Sequence, residues 1–165
     1  FWEVVSTSTP PLVRSIETLS SMLNAAKRYE IPTNHAAALN ERDYGDYTGK
    51  NKWEMEKILG EEEWQKARRG WNYPVPNGET LKMVYERVVP YFLEKILPEV
   101  KSGKNVLVVA HGNSLRALVK YIEKISDEGI EGVEFPFGAV VIYDVDNEGY
   151  MTKKEVRETK SEVPA

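Results

Sequence analysis

Hydrophobic positions along this chain fall into short unbroken runs and helically spaced sets, and their alternation predicts the fold class. The most compact run is Val106-Leu107-Val108-Val109-Ala110, set off by Gly103 and rich in β-branched residues. Such a run predicts a strand over 105–110, buried on both faces. His111-Gly112-Asn113-Ser114 then breaks the pattern, and Leu115, Leu118, Ile122 and Ile125 recur at helical spacing. A strand passing through a glycine turn into an amphipathic helix is the first half of a βα unit. In folds built from such units, ligands gather at the carboxyl ends of strands, where helix N-termini present free N–H groups. His111 lies at that edge, Gly112 permits close backbone approach to an anion, and Asn113 or Ser114 is placed to cap the helix. An incidental histidine in a strand-to-helix turn is the alternative reading.

The remaining runs extend the same scheme. Residues 2–5 predict a strand, followed by a loop over 6–11 whose hydroxyls and prolines suit the start of a helix. Leu12, Ile16, Leu19, Leu23 and Ala26 share one helical face, which Ile31-Pro32 terminates ahead of a short strand within 33–38. Residues 39–49 (LNERDYGDYTG) carry neither period and predict an ordered loop. Two short helices follow, over 53–60 and 61–69, broken at Gly60. Beyond the rigid connector 73–78, Leu81, Val84, Val88, Phe92 and Ile96 define a long helix that Pro90 should kink. Residues 139–145 predict the last strong strand, and Asp146-Asn147-Glu148-Gly149 a hairpin turn into a short edge strand over 150–152. The expected organisation is one domain over 1–152 with a charged, mobile tail over 153–165. Because the chain opens on the apolar run Phe1–Val5 rather than on polar residues, a preceding segment is also expected.

Composition narrows the function classes. At 165 residues, 41% hydrophobic and 29% charged, the chain is an ordinary globular domain. Its net charge of −4 argues against an overall nucleic-acid or membrane footprint. The absence of cysteine excludes disulfides and thiolate metal sites and fits a cytoplasmic protein, and two histidines are too few for a His-rich metal cluster. Two polar constellations stand out besides His111. Glu41-Arg42 sits in the ordered loop, where a surface salt bridge is the plainer reading. Arg68-Arg69 ends a helix, where cations favour the macrodipole; adjacent arginines can equally clamp a phosphate or carboxylate.

Together these motifs resemble the cofactor-dependent phosphoglycerate mutases of the histidine phosphatase superfamily. The resemblance rests on Leu12-x-Arg14 with Thr18, Leu39-Asn40-Glu41-Arg42-x-Tyr44-Gly45-Asp46 with Gly49 and Lys52, and Arg68-Arg69. It continues through Pro76-Asn77-Gly78-Glu79-Thr80-Leu81 and Ala110-His111-Gly112-Asn113-Ser114-Leu115-Arg116-Ala117-Leu118, covering about residues 4–152. The direct run from Trp71 into 74–81 is similar to the shorter subgroup of that family. The family's nucleophilic histidine stands in an Arg-His-Gly motif on its first strand, and that motif does not occur in this sequence.

The resemblance implies a three-layer α/β fold with a mostly parallel central sheet, helices on both faces, strand 105–110 near the middle, and the N-terminal part of the fold missing beside it. It implies interconversion of 2-phosphoglycerate and 3-phosphoglycerate through a phosphohistidine, primed by 2,3-bisphosphoglycerate and without a metal. Arg14 and His111 would then surround the transferring phosphoryl group, whose charge should raise the pKa of His111. Glu41 would be the general acid/base, and Arg42, Tyr44, Lys52, Arg68 and Arg69 would hold the carboxylate and second phosphate with the backbone at Gly112 and Asn113. Small phosphoglycerates would be the partners, without nucleic acid or membrane, and homo-oligomerisation is compatible with it. A histidine-type phosphatase acting on other esters and a catalytically dead phosphate-binding module are the competing readings.

Overall fold

The computed structural model describes residues 4–135 and 138–157, so the expected strand residues 2–3 and tail residues 158–165 lie outside it. Strand β1 (Val4–Thr9) is the centre of a three-stranded parallel sheet. On one side it pairs with β2 (Thr33–His35), Thr7 opposite Thr33; on the other it pairs with β3 (Asn105–Val108), Ser8 opposite Val108. Two expectations are corrected here. Ser6-Thr7-Ser8-Thr9 is buried strand rather than loop, and the middle position belongs to β1, with β3 beside it. The polar run fits a sheet interior because threonine suits the pleat and the Thr7 hydroxyl finds a partner across the ladder, although that of Thr9 is buried without one. Thr7 Oγ1 donates to Thr33 Oγ1 at 2.7 Å, and backbone bonds from Ala36 to Thr9 (2.9 Å) and Val109 to Ser8 (3.0 Å) extend both ladders.

The last two strands, β4 (Val140–Val145) and β5 (Met151–Arg157), form a separate antiparallel hairpin. Among the described residues β3 pairs only with β1, and β4 only with β5. Val106 and Val108 of β3 nevertheless pack on the same core as Tyr143 and Val145 of β4. That core is built from helices α4 (Leu81–Tyr91) and α6 (Gly112–Ile122), through Leu81, Val84, Val88, Leu118 and Ile122. Two sheets thus rest on one helical core with no ladder between them, and the apolar β3 stays only half-buried. The hairpin turn forms as expected: Asp146 Oδ1 accepts from the Glu148 and Tyr150 amides, and Gly149 takes φ +85°. Strand β5 then runs to Arg157, so residues 153–157 are paired strand and not tail.

Helix α1 (Val13–Ala25) packs on β1, and α2 (Lys52–Leu59) and α3 (Glu61–Arg69) are separated by Gly60 at φ +82°. Pro90 lies inside α4 without ending it. Lacking an N–H, proline cannot complete the α-helical ladder, and the chain continues through a widened π turn over Phe92–Ile96 into α5 (Leu97–Lys101). The whole is an α/β fold with a mostly parallel central sheet flanked by helices. No helix among the described residues is long and apolar enough to cross a membrane.

Candidate active site

Three segments far apart in sequence meet beyond the carboxyl ends of the parallel strands. Arg14 and Ser15 follow β1 on the first turn of α1, Glu41 follows β2, and His111 follows β3 as the residue preceding α6. Arg14 Nε donates to His111 Nδ1 at 3.2 Å, and the Ser15 hydroxyl lies 2.7 Å from His111 Nε2. Glu41 Oε1 accepts from the Arg42 amide at 2.8 Å and from the Asn113 amide at 3.3 Å, which sets a carboxylate at the start of α6. Burial first, and the Arg14 guanidinium second, push the His111 pKa down, while Glu41 opposes them. This is opposite to the rise expected from a neighbouring phosphate. In the protein alone the positive neighbour is Arg14, and a positive charge disfavours the imidazolium.

A layer of arginines underlies this group. Arg42 is only 3% exposed, and its side chain donates to the Glu79 carbonyl (2.6 Å) and the Ala67 carbonyl (3.0 Å) while lying 5.0 Å over the Tyr44 ring. The Tyr44 hydroxyl accepts from Asn113 Nδ2 (3.2 Å), and Asn113 Oδ1 accepts from Arg116 Nη1 (3.1 Å). Arg116 Nη2 donates to the carbonyls of Arg69 (2.8 Å) and Ile130 (2.7 Å). Burial and the nearby Arg69 push the Arg116 pKa down to about 10. These guanidiniums are hydrogen-bonded mainly to carbonyls, with the carboxylates of Glu79 and Glu41 acting on Arg42 and that of Glu131 on Arg116.

The segment carrying Glu41 is itself held from below. Arg87, on α4, donates to the carbonyls of Ala38 (2.6 Å), Asn40 (2.9 Å) and Glu41 (3.2 Å), and makes two 2.9 Å bonds to the Glu79 carboxylate. Ser114 Oγ donates to the Asn40 carbonyl at 2.5 Å. The expected capping of α6 by Asn113 or Ser114 is therefore corrected: both lie inside the helix and bond across to the Glu41 loop, His111 at the N-cap makes no capping bond, and the Asn113 amide is met by Glu41 instead. A Cβ added at Gly112 would meet no atom within 4 Å, so the backbone there borders open space.

Of the residues expected at the site, the structure brings together Arg14, Glu41, Arg42, Tyr44, Gly112, Asn113 and His111, with Arg69 alongside Arg116. Lys52 and Arg68 instead rest over the rings of Trp53 (4.5 Å) and Trp64 (5.9 Å) on their own helices. Neither contacts Glu41 or His111 among the described residues. Arg69 pairs with Glu134 at 2.5 Å. Three contributors were not singled out from sequence. Ser15 stands beside Arg14 and Arg116 lies within the His111–Leu118 motif, whereas Arg87 carries no local signal. The described residues contain no cluster of His, Asp or Glu that could hold a metal.

The sequence model of the histidine phosphatase superfamily (branch 1) matches residues 2–157. The 2,3-bisphosphoglycerate-dependent phosphoglycerate mutase of Parvibaculum lavamentivorans is 43% identical over 148 residues, spanning 90% of this chain and 70% of that protein. That of Rhodopseudomonas palustris is 44% identical over 146 residues, spanning 88% and 70%. Among solved structures, Bacillus stearothermophilus YhfR matches with a TM-score of 0.71 at 20% identity, covering 91% of this chain and 76% of that one. The phosphoglycerate mutase from Bacillus anthracis matches with a TM-score of 0.61 at 19% identity, covering 74% and 61%. At these identities the solved structures speak for the fold alone.

Proposed function

The chain belongs to the histidine phosphatase superfamily, within its 2,3-bisphosphoglycerate-dependent phosphoglycerate mutases, and from that premise we propose that it interconverts 2-phosphoglycerate and 3-phosphoglycerate. The observation that carries this reading is the convergence of Arg14, Glu41 and His111 from three separate segments at one sheet edge, over buried arginines. Phosphoryl transfer needs positive charge around the transferring group and a proton donor or acceptor at the sugar-acid hydroxyl. Arg14 and His111 supply the first and Glu41 the second. Tyr44 and Asn113, steadied by Arg42 and Arg116, orient the ligand, and Arg69, Arg68 and Lys52 are assigned its carboxylate and second phosphate. The cationic donor set suits a polyanion such as 2,3-bisphosphoglycerate, which when bound supplies the priming phosphoryl group.

Arg-His-Gly does not occur in this sequence, and the reading assigns the phosphorylated histidine to a further strand beside β3, on the edge that the described residues leave unpaired. The test has two arms. The chain should bind 3-phosphoglycerate in a calorimeter. In the full gene product, Glu41→Gln should slow mutase turnover roughly 10²–10⁴-fold while changing binding little. Absence of binding, or a Glu41→Gln enzyme with unchanged turnover, overturns the assignment. Hydrolysis without isomerisation would mark a histidine-type phosphatase, and binding without either a dead phosphate-binding module.

A further inference from the structure

We propose that Ser15 is a positioning residue for His111: with Arg14 it holds the ring as the neutral imidazole protonated on Nε2, leaving Nδ1 as the nitrogen that takes up a proton when an anionic ligand draws the Arg14 guanidinium away. The ligand-bound half of this inference rests on the assignment of His111 to the phosphoryl group; the tautomer of the free protein does not.

The argument starts from what an arginine can do. Every guanidinium nitrogen is a donor and none accepts, so the 3.2 Å contact from Arg14 Nε requires a lone pair on His111 Nδ1. A neutral imidazole then carries its single proton on Nε2, and the oxygen 2.7 Å from that nitrogen is Ser15 Oγ, which accepts it. An imidazolium would aim a second N–H at the Arg14 donor, so Arg14 and the ring proton exclude one another. Burial acts in the same sense, and the charged groups acting on the ring are Arg14 from α1 and Glu41 from the loop after β2.

The two clamping residues differ in a telling way. Ser15 is 3% exposed and fixed in α1, whereas the Arg14 side chain is exposed and able to turn to a ligand. Ser15 also occupies a helical position where alanine has the higher propensity, so the hydroxyl does not serve the helix itself. When a phosphoryl oxygen takes the Arg14 donor, Nδ1 acquires a proton from solvent and hydrogen-bonds the ligand through it. One N–H bond forms as an O–H bond of hydronium or buffer acid breaks, the Nε2 proton stays on the ring and bonded to Ser15 Oγ, and the ring does not rotate.

The experiment is long-range 1H–15N spectroscopy of the chain, which has only two histidines, His35 and His111. The free protein near pH 8 should show His111 with a protonated Nε2 and an unprotonated Nδ1. Ser15→Ala should move both nitrogens toward the averaged values of a free ring and weaken inorganic phosphate binding about two- to tenfold, the worth of one hydrogen bond, with an unchanged circular dichroism spectrum. Arg14→Met, which removes the competing donor and its charge, should raise the titration midpoint of His111. Calorimetry in two buffers of different ionisation heat should show proton uptake when phosphate binds the wild-type chain. A free protein protonated on Nδ1, a Ser15→Ala ring identical to wild type, or binding without proton uptake overturns the proposal. If phosphate does not bind at all, the proposed function and the ligand-bound half fall together, and the tautomer alone decides the role of Ser15.

Discussion

Removing Arg87 tests whether one guanidinium holds the Glu41 loop in place. In Arg87→Met the two bonds to Glu79 and the three to the carbonyls of residues 38, 40 and 41 are lost together, while the aliphatic volume is largely kept. A hydrogen bond to a charged group is worth about 1.5–3 kcal/mol, but bonds sharing one guanidinium do not add. Breaking a fully buried ion pair costs about 3–5 kcal/mol. Here the two side chains keep 23% and 22% exposure, so water can rehydrate part of what is left. We expect a loss of about 2–4 kcal/mol, a large share of the roughly 5–15 kcal/mol that holds a domain together. Urea denaturation at pH 7 should show it as a lower midpoint at unchanged slope.

The pH dependence sharpens this test. Burial alone would raise the Glu79 pKa, but the bonds from Arg87 and the Asp43 amide, with the charges of Arg87 and Arg42, bring it below the usual carboxylate value. The folded state thus favours the charged form. That stability is present above the ordinary carboxylate pKa and is lost as pH falls through the depressed one. The gap between wild type and Arg87→Met should therefore narrow below about pH 4. A penalty below about 1 kcal/mol, or a gap constant down to pH 3, would refute the reasoning.

Two further outcomes follow from the packing. Gly45 takes φ +48°, and a Cβ there would stand 2.1 Å from the Pro76 carbonyl oxygen and 2.5 Å from the Gly78 amide nitrogen. Gly45→Ala should cost about 2–4 kcal/mol, seen as a Tm lower by about 4–16 °C; an unchanged Tm would mean that this loop contact is not formed. Burial and Tyr150 push the Tyr121 phenol up to about 12, and burial with the Glu123 bond pushes Tyr143 up as well. Because the folded state favours protonated phenols, stability should fall as pH rises from the ordinary phenol value near 10. Phenolate absorbance of the folded protein should show a late-titrating fraction, and full ionisation of all nine tyrosines by pH 11 would contradict the packing of these rings.

The helices were legible because their apolar faces repeat at helical spacing: Leu81, Val84 and Val88 appear in the core as the pattern requires. Strand β1 was legible only at its apolar start, Val4-Val5, because Ser6-Thr7-Ser8-Thr9 has neither alternation nor apolar content. Its burial depends on partners supplied by residues 33 and 106–108, which no local window contains. The same distinction divides the site. His111 and Glu41 stand in dense motifs, whereas Ser15 and Arg87 act through contacts 96 and 46–49 residues away. Arg42 reads as a ligand-binding residue by its place beside Glu41, yet both bonds its side chain makes are to backbone carbonyls.

The central position of β1 bears on how the chain is made. Thr7 meets Thr33 after 26 residues, but its partner Leu107 on the other side comes about a hundred residues later. Closing the longer loop costs only about 1 kcal/mol more in entropy than closing the shorter one, since that cost grows logarithmically. The larger effect is one of time. During synthesis at roughly 5–20 residues per second, β1 emerges about 5–20 s before β3 exists to cover its second edge. A valine-rich strand waiting that long would offer a template for pairing with other chains. Ser6-Thr7-Ser8-Thr9 offers a poorly hydrophobic one, and the apolar partner β3 is the last strand of the parallel sheet to be made, when its place beside β1 is already waiting.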